Sequence, residues 1–146
     1  QQRIEFPVIF DAFNRLRRLA EMLIVEGVGG FCVPLGPEQD TADLAEQLAL
    51  PVLLVVGIRL GCINHALLTE QAIAAKGLRL VGWVANRIDP GLSHFAENLA
   101  TLQSRLKAPL LGVIPAHSNP EKAASLLSLN GLTLPPKRTP PESVVG

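Results

Sequence analysis

"PVLLVVGIRLGCINHALLTEQAIAAKGLRLVGWVANR", residues 51–87, places a long amphipathic run between two short and nearly continuous apolar runs. The apolar runs cover residues 51–57 and 78–87, and the run between them covers residues 63–77. Because the apolar runs do not alternate between apolar and polar residues, they predict strands that are buried on both faces. A strand, a helix and a strand in this order predict a parallel pair joined by a crossover helix.

The same alternation of short apolar runs and longer amphipathic runs continues on both sides of this stretch. The predicted strands cover residues 21–26, 51–57, 78–87 and 109–115, and the predicted helices cover residues 41–50, 63–77, 92–107 and 121–129. Four strands alternating with four helices predict an α/β fold with a doubly wound, mostly parallel sheet that is covered on both faces.

Residues that favour helix ends lie at the boundaries of these runs. Asp40 or Thr41 is suited to cap the first of the four helices, and Gly77 is suited to end the second. Pro120 is suited to open the last helix because its fixed backbone angle fits the first turn.

The two ends of the chain do not follow this alternation of strands and helices. The apolar patch "FPVIF", residues 6–10, predicts a strand remnant, and a helix is predicted from about residue 12 to residue 20. With 146 residues, of which 48% are hydrophobic, the chain can bury one substantial core, so a single α/β domain is predicted over residues 1–134. Residues 135–146 contain four prolines and predict a flexible tail.

Composition excludes several classes of protein. Thirteen basic and thirteen acidic residues cancel, so no overall attraction to nucleic acid or to an anionic membrane is expected. Cys32 and Cys62 have no spacing typical of a disulfide framework or a zinc site, which fits a reducing cytoplasm. The longest apolar stretch, residues 48–58, is shorter than the roughly 20 residues that a membrane span needs.

The predicted carboxyl ends of the strands are rich in glycine and polar residues. Ligands bind at this edge of an open parallel sheet, so these residues predict a phosphate or nucleotide site, although many α/β loops have a similar composition. Burying a lone carboxylate is costly, so Glu26 should face a cleft, a cation or a loop to which it bonds as a cap. Gly27, Gly29 and Gly30 lack a Cβ and can bring backbone amides close to a ligand.

Residues 60–64, "LGCIN", open a predicted helix. The first amides of a helix are unpaired and carry a partial positive charge, so this turn is suited to bind a carboxylate. The alternative interpretation of this sequence is a plain glycine turn before a helix, with Cys62 as a small buried residue.

Four motifs together resemble one enzyme family. "VEGVGG", "LPVLLVVGIRLGCINHALLT", "GLRLVGWVANRIDP" and "PLLGVIP", in this order and spacing, resemble the C-terminal two-thirds of the dethiobiotin synthetases, ATP-dependent enzymes of biotin synthesis. The resemblance covers about residues 12–130, and "GIRLGCINHALLT" is its most specific part. It implies a P-loop NTPase-like fold, a cytoplasmic homodimer, Mg²⁺, and ATP, CO₂ and 7,8-diaminononanoate as substrates.

The resemblance also implies roles for individual residues. Glu26 matches the family's Mg²⁺ ligand, and Asn86 matches the asparagine that binds adenine. Other implied nucleotide contacts are Gly27, Val28, Gly29, Arg87, Pro115, Ala116, His117 and Glu121. The implied contacts of the substrate carboxylate, made by the second subunit of the dimer, are Leu60, Gly61, Cys62, Ile63 and Asn64.

One family feature is absent from the sequence. The family begins with a GxxxxGK[ST] loop that holds the phosphates, and no Gly-Lys pair occurs in these 146 residues. The chain is therefore part of such an enzyme, inactive alone, or a non-catalytic α/β dimerisation or regulatory module of the same superfamily. The opening "QQRIEF" lacks a methionine, which favours the first alternative.

Overall fold

The computed structural model describes residues 4–130 and residue 132. These residues fall into two compact units that meet in sequence between Leu48 and Ala49. The first unit contains α1 (Phe6–Leu16) and α2 (Thr41–Leu48). The second unit contains β1 (Val52–Gly57), α3 (Cys62–Ala75), β2 (Leu80–Asn86), α4 (Phe95–Arg105), β3 (Leu110–Ile114) and α5 (Pro120–Ser125).

The second unit is built on a parallel sheet with the strand order β1-β2-β3. One face of the sheet packs against α3 and α4, where Val56, Trp83 and Ala85 form a core with Cys62 and Leu102. On the other face, the segment that follows α5 lies against β3, and the Ser128 N–H donates to the Leu111 carbonyl oxygen at 2.8 Å. This arrangement confirms the predicted α/β fold with a mostly parallel sheet. The prediction that the strands are buried on both faces is wrong for β1, because Leu53 and Val55, which alternate with the core residues, are 46% and 56% exposed.

Most predicted elements of the sheet and its helices are confirmed within a few residues, and the predicted helix ends are confirmed by their hydrogen bonds. Asp40 and Asp43 bond to each other's backbone N–H groups at 2.9 Å, which caps α2. Gly77 has φ +67° and ends α3, because Leu78 donates to the Ile73 carbonyl oxygen. Pro120 opens α5, which ends at Ser125 and is therefore shorter than predicted.

The predicted strand over residues 21–26 is wrong. This segment is irregular, and the Met22 and Ile24 side chains are 64% and 82% exposed. A strand needs a neighbour to pair its backbone groups, and none of the described strands pairs with this segment. An apolar run is therefore not sufficient for a strand, and Glu26 does not emerge from a buried one.

The predicted strand remnant over residues 6–10 is also wrong, because this patch is the first part of α1. Pro7 lies in the first turn, where proline favours a helix. Phe6 and Phe10 are one helical turn apart, and their rings meet edge to face with centroids 6.1 Å apart. Helical spacing of the phenylalanines thus decides the local structure, and α1 ends at Leu16 rather than at residue 20.

Two expectations concern the extent of the domain and the C-terminal tail. The single domain over residues 1–134 stays a prediction, and the predicted tail over residues 135–146 lies outside the described residues. In the part of the chain that the structure describes, none of the helices has the length and apolar character to cross a membrane.

Candidate active site

The carboxyl ends of the three strands meet at one edge of the sheet. Gly57 lies opposite Asn86 in the parallel register, and the Ile58 N–H donates to the Asn86 carbonyl oxygen at 2.7 Å. The Arg87 N–H donates to the Ile114 carbonyl oxygen at 2.9 Å. These bonds bring together the segments that follow β1, β2 and β3, which carry all the predicted site residues of the second unit.

The start of α3 has the geometry of a tight glycine turn. Gly61 has φ +88°, a backbone region that residues with a Cβ rarely adopt, and it is the residue before the first helical one. The Cys62 N–H already donates to the Arg59 carbonyl oxygen at 3.0 Å. The next two N–H groups, of Ile63 and Asn64, are therefore the ones that the first turn offers to a ligand.

The Cys62 side chain does not face this edge. It is 1% exposed, belongs to the core, and its thiol lies 3.8 Å from the Asn98 Oδ1 atom. Leu60, by contrast, is 89% exposed. The Cys62 side chain is therefore a small buried residue, and the binding of a carboxylate by the backbone amides of this turn stays a prediction.

Asn86 and Arg87 follow one another but differ in their contacts. The half-buried Asn86 carboxamide makes no hydrogen bond to any described residue. The Arg87 Nη2 atom donates to the Pro90 carbonyl oxygen at 2.8 Å, and the Arg87 guanidinium carbon lies 4.8 Å from the centre of the Phe95 ring. The Asn86 side chain is thus free to bind a ligand, and the Arg87 side chain is engaged within the chain.

The loop after β3 is a tight turn with an unusual backbone. The Ser118 Oγ atom donates to the Pro115 carbonyl oxygen at 2.8 Å, and His117 has φ +59°. Non-glycine residues in this region are uncommon and cluster at functional sites. Ala116 is half-buried in this turn, whereas Pro115, His117 and Glu121, the last in the first turn of α5, are exposed.

Glu26 and the glycines after it lie in the first unit. Glu26 is exposed and has no hydrogen bond or ion pair with a described residue, so it does not act as a loop cap there. A Cβ on Gly27 would have open space around it, and Val28 is 81% exposed. Gly29 has φ +83°, so at this position the glycine is required by the backbone itself.

A family model described as an AAA domain matches residues 2–123 of this chain. The chain belongs to this family. The match includes β1, β2 and β3 and every candidate residue of both units.

Three curated relatives carry the name ATP-dependent dethiobiotin synthetase BioD. The protein of Aromatoleum aromaticum is 61% identical over 122 residues, which are 82% of this chain and 54% of that relative. The protein of Janthinobacterium sp. is 54% identical over 132 residues, which are 90% of this chain and 56% of the relative. That of Nitrosospira multiformis is 53% identical over 116 residues, which are 80% of this chain and 51% of the relative.

These identities confirm the resemblance to the dethiobiotin synthetases that the motifs predicted. The chain spans about half the length of the curated relatives it matches. These three relatives are therefore longer than this chain.

The residues fit a magnesium ion that is shared with a phosphate ligand. Among the described residues, no group of three or more His, Cys, Asp or Glu side chains could hold a metal ion alone. Mg²⁺ at phosphate sites takes one or two carboxylates, with the remaining oxygens from phosphates and water. The exposed Glu26 carboxylate, which has no partner in the described residues, is a suitable oxygen donor of this kind.

Sequence reasoning missed two contacts that shape the candidate site. The Thr41 hydroxyl donates to the Phe31 carbonyl oxygen at 2.6 Å and accepts from the Val33 N–H at 2.9 Å, which ties the glycine-rich segment to the start of α2. Thr41 was recognisable as a capping residue, but its bonds to residues eight and ten positions away were not. The stacking of Arg87 on Phe95 likewise joins the end of β2 to α4, and no sequence pattern near either residue predicts it.

Proposed function

We propose that this chain is part of an ATP-dependent dethiobiotin synthetase. The observation that carries the proposal is the identity of 53–61% to three relatives of that name. It is supported by the sheet edge at which the ends of β1, β2 and β3 gather glycine and polar residues. The proposed reaction is the closure of a ureido ring on 7,8-diaminononanoate, with CO₂ as the source of the new carbon and ATP as the source of energy.

In this reaction the chain would bind and orient the reactants. CO₂ adds to one amine to give a carbamate, and the carbamate oxygen attacks the γ-phosphate of ATP and displaces ADP. The second amine then attacks the carbonyl carbon and displaces phosphate, which closes the ring. Negative charge builds on the phosphoryl oxygens, so electrostatic stabilisation is the main demand. Glu26 would hold Mg²⁺, which supplies positive charge next to those oxygens.

The remaining candidate residues would position the two larger substrates. The Asn86 carboxamide offers a donor and an acceptor, as the edge of an adenine base requires, and the turn over residues 115–118 would close over that base together with Glu121. Gly27, Val28 and Gly29 would lie along the phosphates. The Ile63 and Asn64 amides, with Leu60 and Gly61 beside them, would hold the substrate carboxylate from the second subunit of a homodimer.

A second candidate function is a non-catalytic dimerisation or regulatory module. The observation that favours it is the lack of a Gly-Lys pair in the 146 residues, because a phosphate-binding loop of the GxxxxGK[ST] kind cannot be formed from them. The chain by itself is accordingly expected to show no ATP-dependent ring closure and only weak affinity for nucleotides.

The decisive experiment measures turnover by the full-length protein that contains these residues. Dethiobiotin formation from 7,8-diaminononanoate, CO₂, ATP and Mg²⁺ is followed by mass spectrometry, and phosphate release is followed in parallel. ATP-dependent product supports the synthetase, whereas a folded protein that forms no product supports the module.

A glycine pair then tests whether the loop after Glu26 contacts the reactants. A Cβ at Gly27 or at Gly36 has open space, and neither glycine adopts the left-handed backbone region. Both Gly27→Ala and Gly36→Ala should therefore melt like the parent. We expect Gly27→Ala to slow turnover by about 10-fold to 10²-fold, since displaced reactants lose rate steeply, and Gly36→Ala to keep the parental rate. Equal rates for the two variants would contradict a phosphate contact at Gly27.

A further inference from the structure

Asn86 and Arg87 were both expected to bind the nucleotide, but their side chains point to opposite faces of the sheet. Trp83 and Ala85 of β2 face the core formed with α3 and α4, and the Arg87 side chain continues on that face to reach Phe95. Asn86 lies on the other face, because successive side chains of a strand alternate. A ligand held by the Asn86 carboxamide is therefore on the side of the sheet away from the Arg87 guanidinium.

Part of the Arg87 guanidinium is also engaged within the chain. Its carbon lies 4.8 Å from the centre of the Phe95 ring, and Nη2 donates to the Pro90 carbonyl oxygen at 2.8 Å. Its Nε atom is buried, and no acceptor in the described part of the chain bonds to it. Burying an unpaired N–H group costs free energy, and the contacts that can offset this cost within the chain are those with the Phe95 ring and the Pro90 carbonyl oxygen.

The loop between β2 and α4 contacts the rest of the second unit on two sides. On the Arg87 face, the Pro90 carbonyl oxygen is drawn to the guanidinium, which in turn lies on Phe95, the first residue of α4. On the Asn86 face, the Ile88 side chain covers Gly57, where an added Cβ would lie 2.8 Å from the Ile88 Cδ1 atom. Loss of the Arg87 contact would release one side of the loop and leave the other in place.

We propose that Arg87 is a positioning residue and not a nucleotide ligand. By stacking on Phe95 and binding the Pro90 carbonyl, it holds the loop over residues 88–92 at the sheet edge, and so keeps the neighbouring Asn86 carboxamide in the orientation that binds the base. The proposal rests on the proposed function, because it assigns Asn86 a nucleotide base.

Hydrogen exchange in the 146-residue chain tests the structural half of the proposal. Arg87→Lys keeps the charge but loses the planar stack, and Phe95→Leu removes the ring without touching the charge. In the loop over residues 88–92, the Gly91 and Leu92 N–H groups bond to Asp89, and we expect each variant to speed exchange of these amides by about fivefold, the factor that a partly exposed cation–π contact provides. The double variant should add no more than either single one, because both remove the same contact.

Two control variants separate the contact from general effects. Arg105→Lys makes the same chemical change at an exposed position of α4 and should leave exchange at the parental rate. Phe95→Tyr keeps an aromatic face and should also leave exchange at the parental rate. It shows whether a change in Phe95→Leu comes from loss of the ring or from poor folding of a variant at this position. Unchanged exchange in both Arg87→Lys and Phe95→Leu would overturn the proposal.

Binding of ATP to the full-length protein tests the functional half. Arg87→Lys and Phe95→Leu should raise the Kd of ATP by a similar factor, about threefold to tenfold, with kcat at saturating ATP little changed. Asn86→Ala should raise the Kd while leaving exchange of residues 88–92 at the parental rate. If Phe95→Leu left the Kd unchanged and Arg87→Lys raised it, Arg87 would be a direct ligand and the proposal would be overturned.

Failure of the proposed function has a different signature. A full-length parental protein that binds no ATP would overturn the proposed function and, with it, the assignment of a base to Asn86. The exchange rates of the 146-residue chain would still decide whether Arg87 holds the loop.

Discussion

The exposure of Glu26 bears on the two roles considered for it, a metal ligand and a loop cap. It is exposed and has no partner among the described residues, and the backbone around it is irregular. A carboxylate that caps a loop contributes to folding through its hydrogen bonds, and this one has none to contribute in the described part of the chain. The binding of Mg²⁺ at the phosphates, which the resemblance implies, is the role that we propose for it.

Replacement of Glu26 by glutamine keeps the shape and removes the charge. In the full-length enzyme, Glu26→Gln should lower the rate at saturating ATP and Mg²⁺ by about 10²-fold to 10³-fold, the loss typical of one electrostatic element of a transition state. The melting temperature should not change, because no folded-state contact is removed. A variant that melts several degrees lower and turns over at the parental rate would make Glu26 structural.

At the scale of the elements, two strand glycines differ in how much room their surroundings leave for a side chain. A Cβ on Gly112 of β3 would collide with the Leu126 carbonyl oxygen and lie 3.0 Å from the Leu127 Cδ2 atom. That segment cannot retreat easily, since the Ser128 N–H bonds to the Leu111 carbonyl oxygen. A Cβ on Gly57 of β1 would meet only the end of the Ile88 side chain, which is 49% exposed and can turn aside.

These surroundings predict unequal losses of stability for one added methyl group. Gly112→Ala should lower the free energy of unfolding by about 1–3 kcal/mol, the range for overpacking against atoms that cannot move. Gly57→Ala should lower it by less than about 1 kcal/mol, because rotating an exposed side chain is easy. Urea denaturation of the two variants and the parent measures the difference, and equal midpoints would contradict the described packing of residues 126–128 on β3.

For the whole molecule, the exposed start of α3 leads to an expectation about assembly. Leu60 is 89% exposed at the sheet edge where the proposed substrate carboxylate binds. The resemblance places this turn across a twofold interface, and twofold dimers are the commonest closed assemblies. We therefore expect the chain to form a homodimer that buries Leu60.

Light scattering at tens of micromolar tests this assembly. The parent should have the mass of a dimer, and Leu60→Ser should raise the dimer dissociation constant by at least about tenfold, because two leucine side chains lose their burial. Leu129→Ser is a suitable control, since Leu129 is 63% exposed and no interface role is expected for it. A monomeric parent would contradict the dimer. If Leu60→Ser and Leu129→Ser weakened the dimer equally, Leu60 would have no specific role in the interface.

The sequence by itself determined the features that depend on neighbouring residues. The sheet strands over residues 52–57, 80–86 and 110–114, the cap at Asp40, the end of α3 at Gly77 and the start of α5 at Pro120 were all predicted. Strand propensity, capping and left-handed glycines act within a few residues, so they can be read directly from the letters.

Only the tertiary structure decided the features that depend on a distant partner. The apolar run over residues 21–26 had the composition of a buried strand but is not one in this structure, because pairing requires a second strand. Both the Cys62 thiol and the Arg87 side chain have their partners in α4. The thiol lies near Asn98, which follows β2 in the chain, and Arg87 stacks on Phe95 across the loop after β2. Burial and side-chain partnership are properties of the packed chain, and they separate Asn86, which is free to bind, from Arg87, which is held.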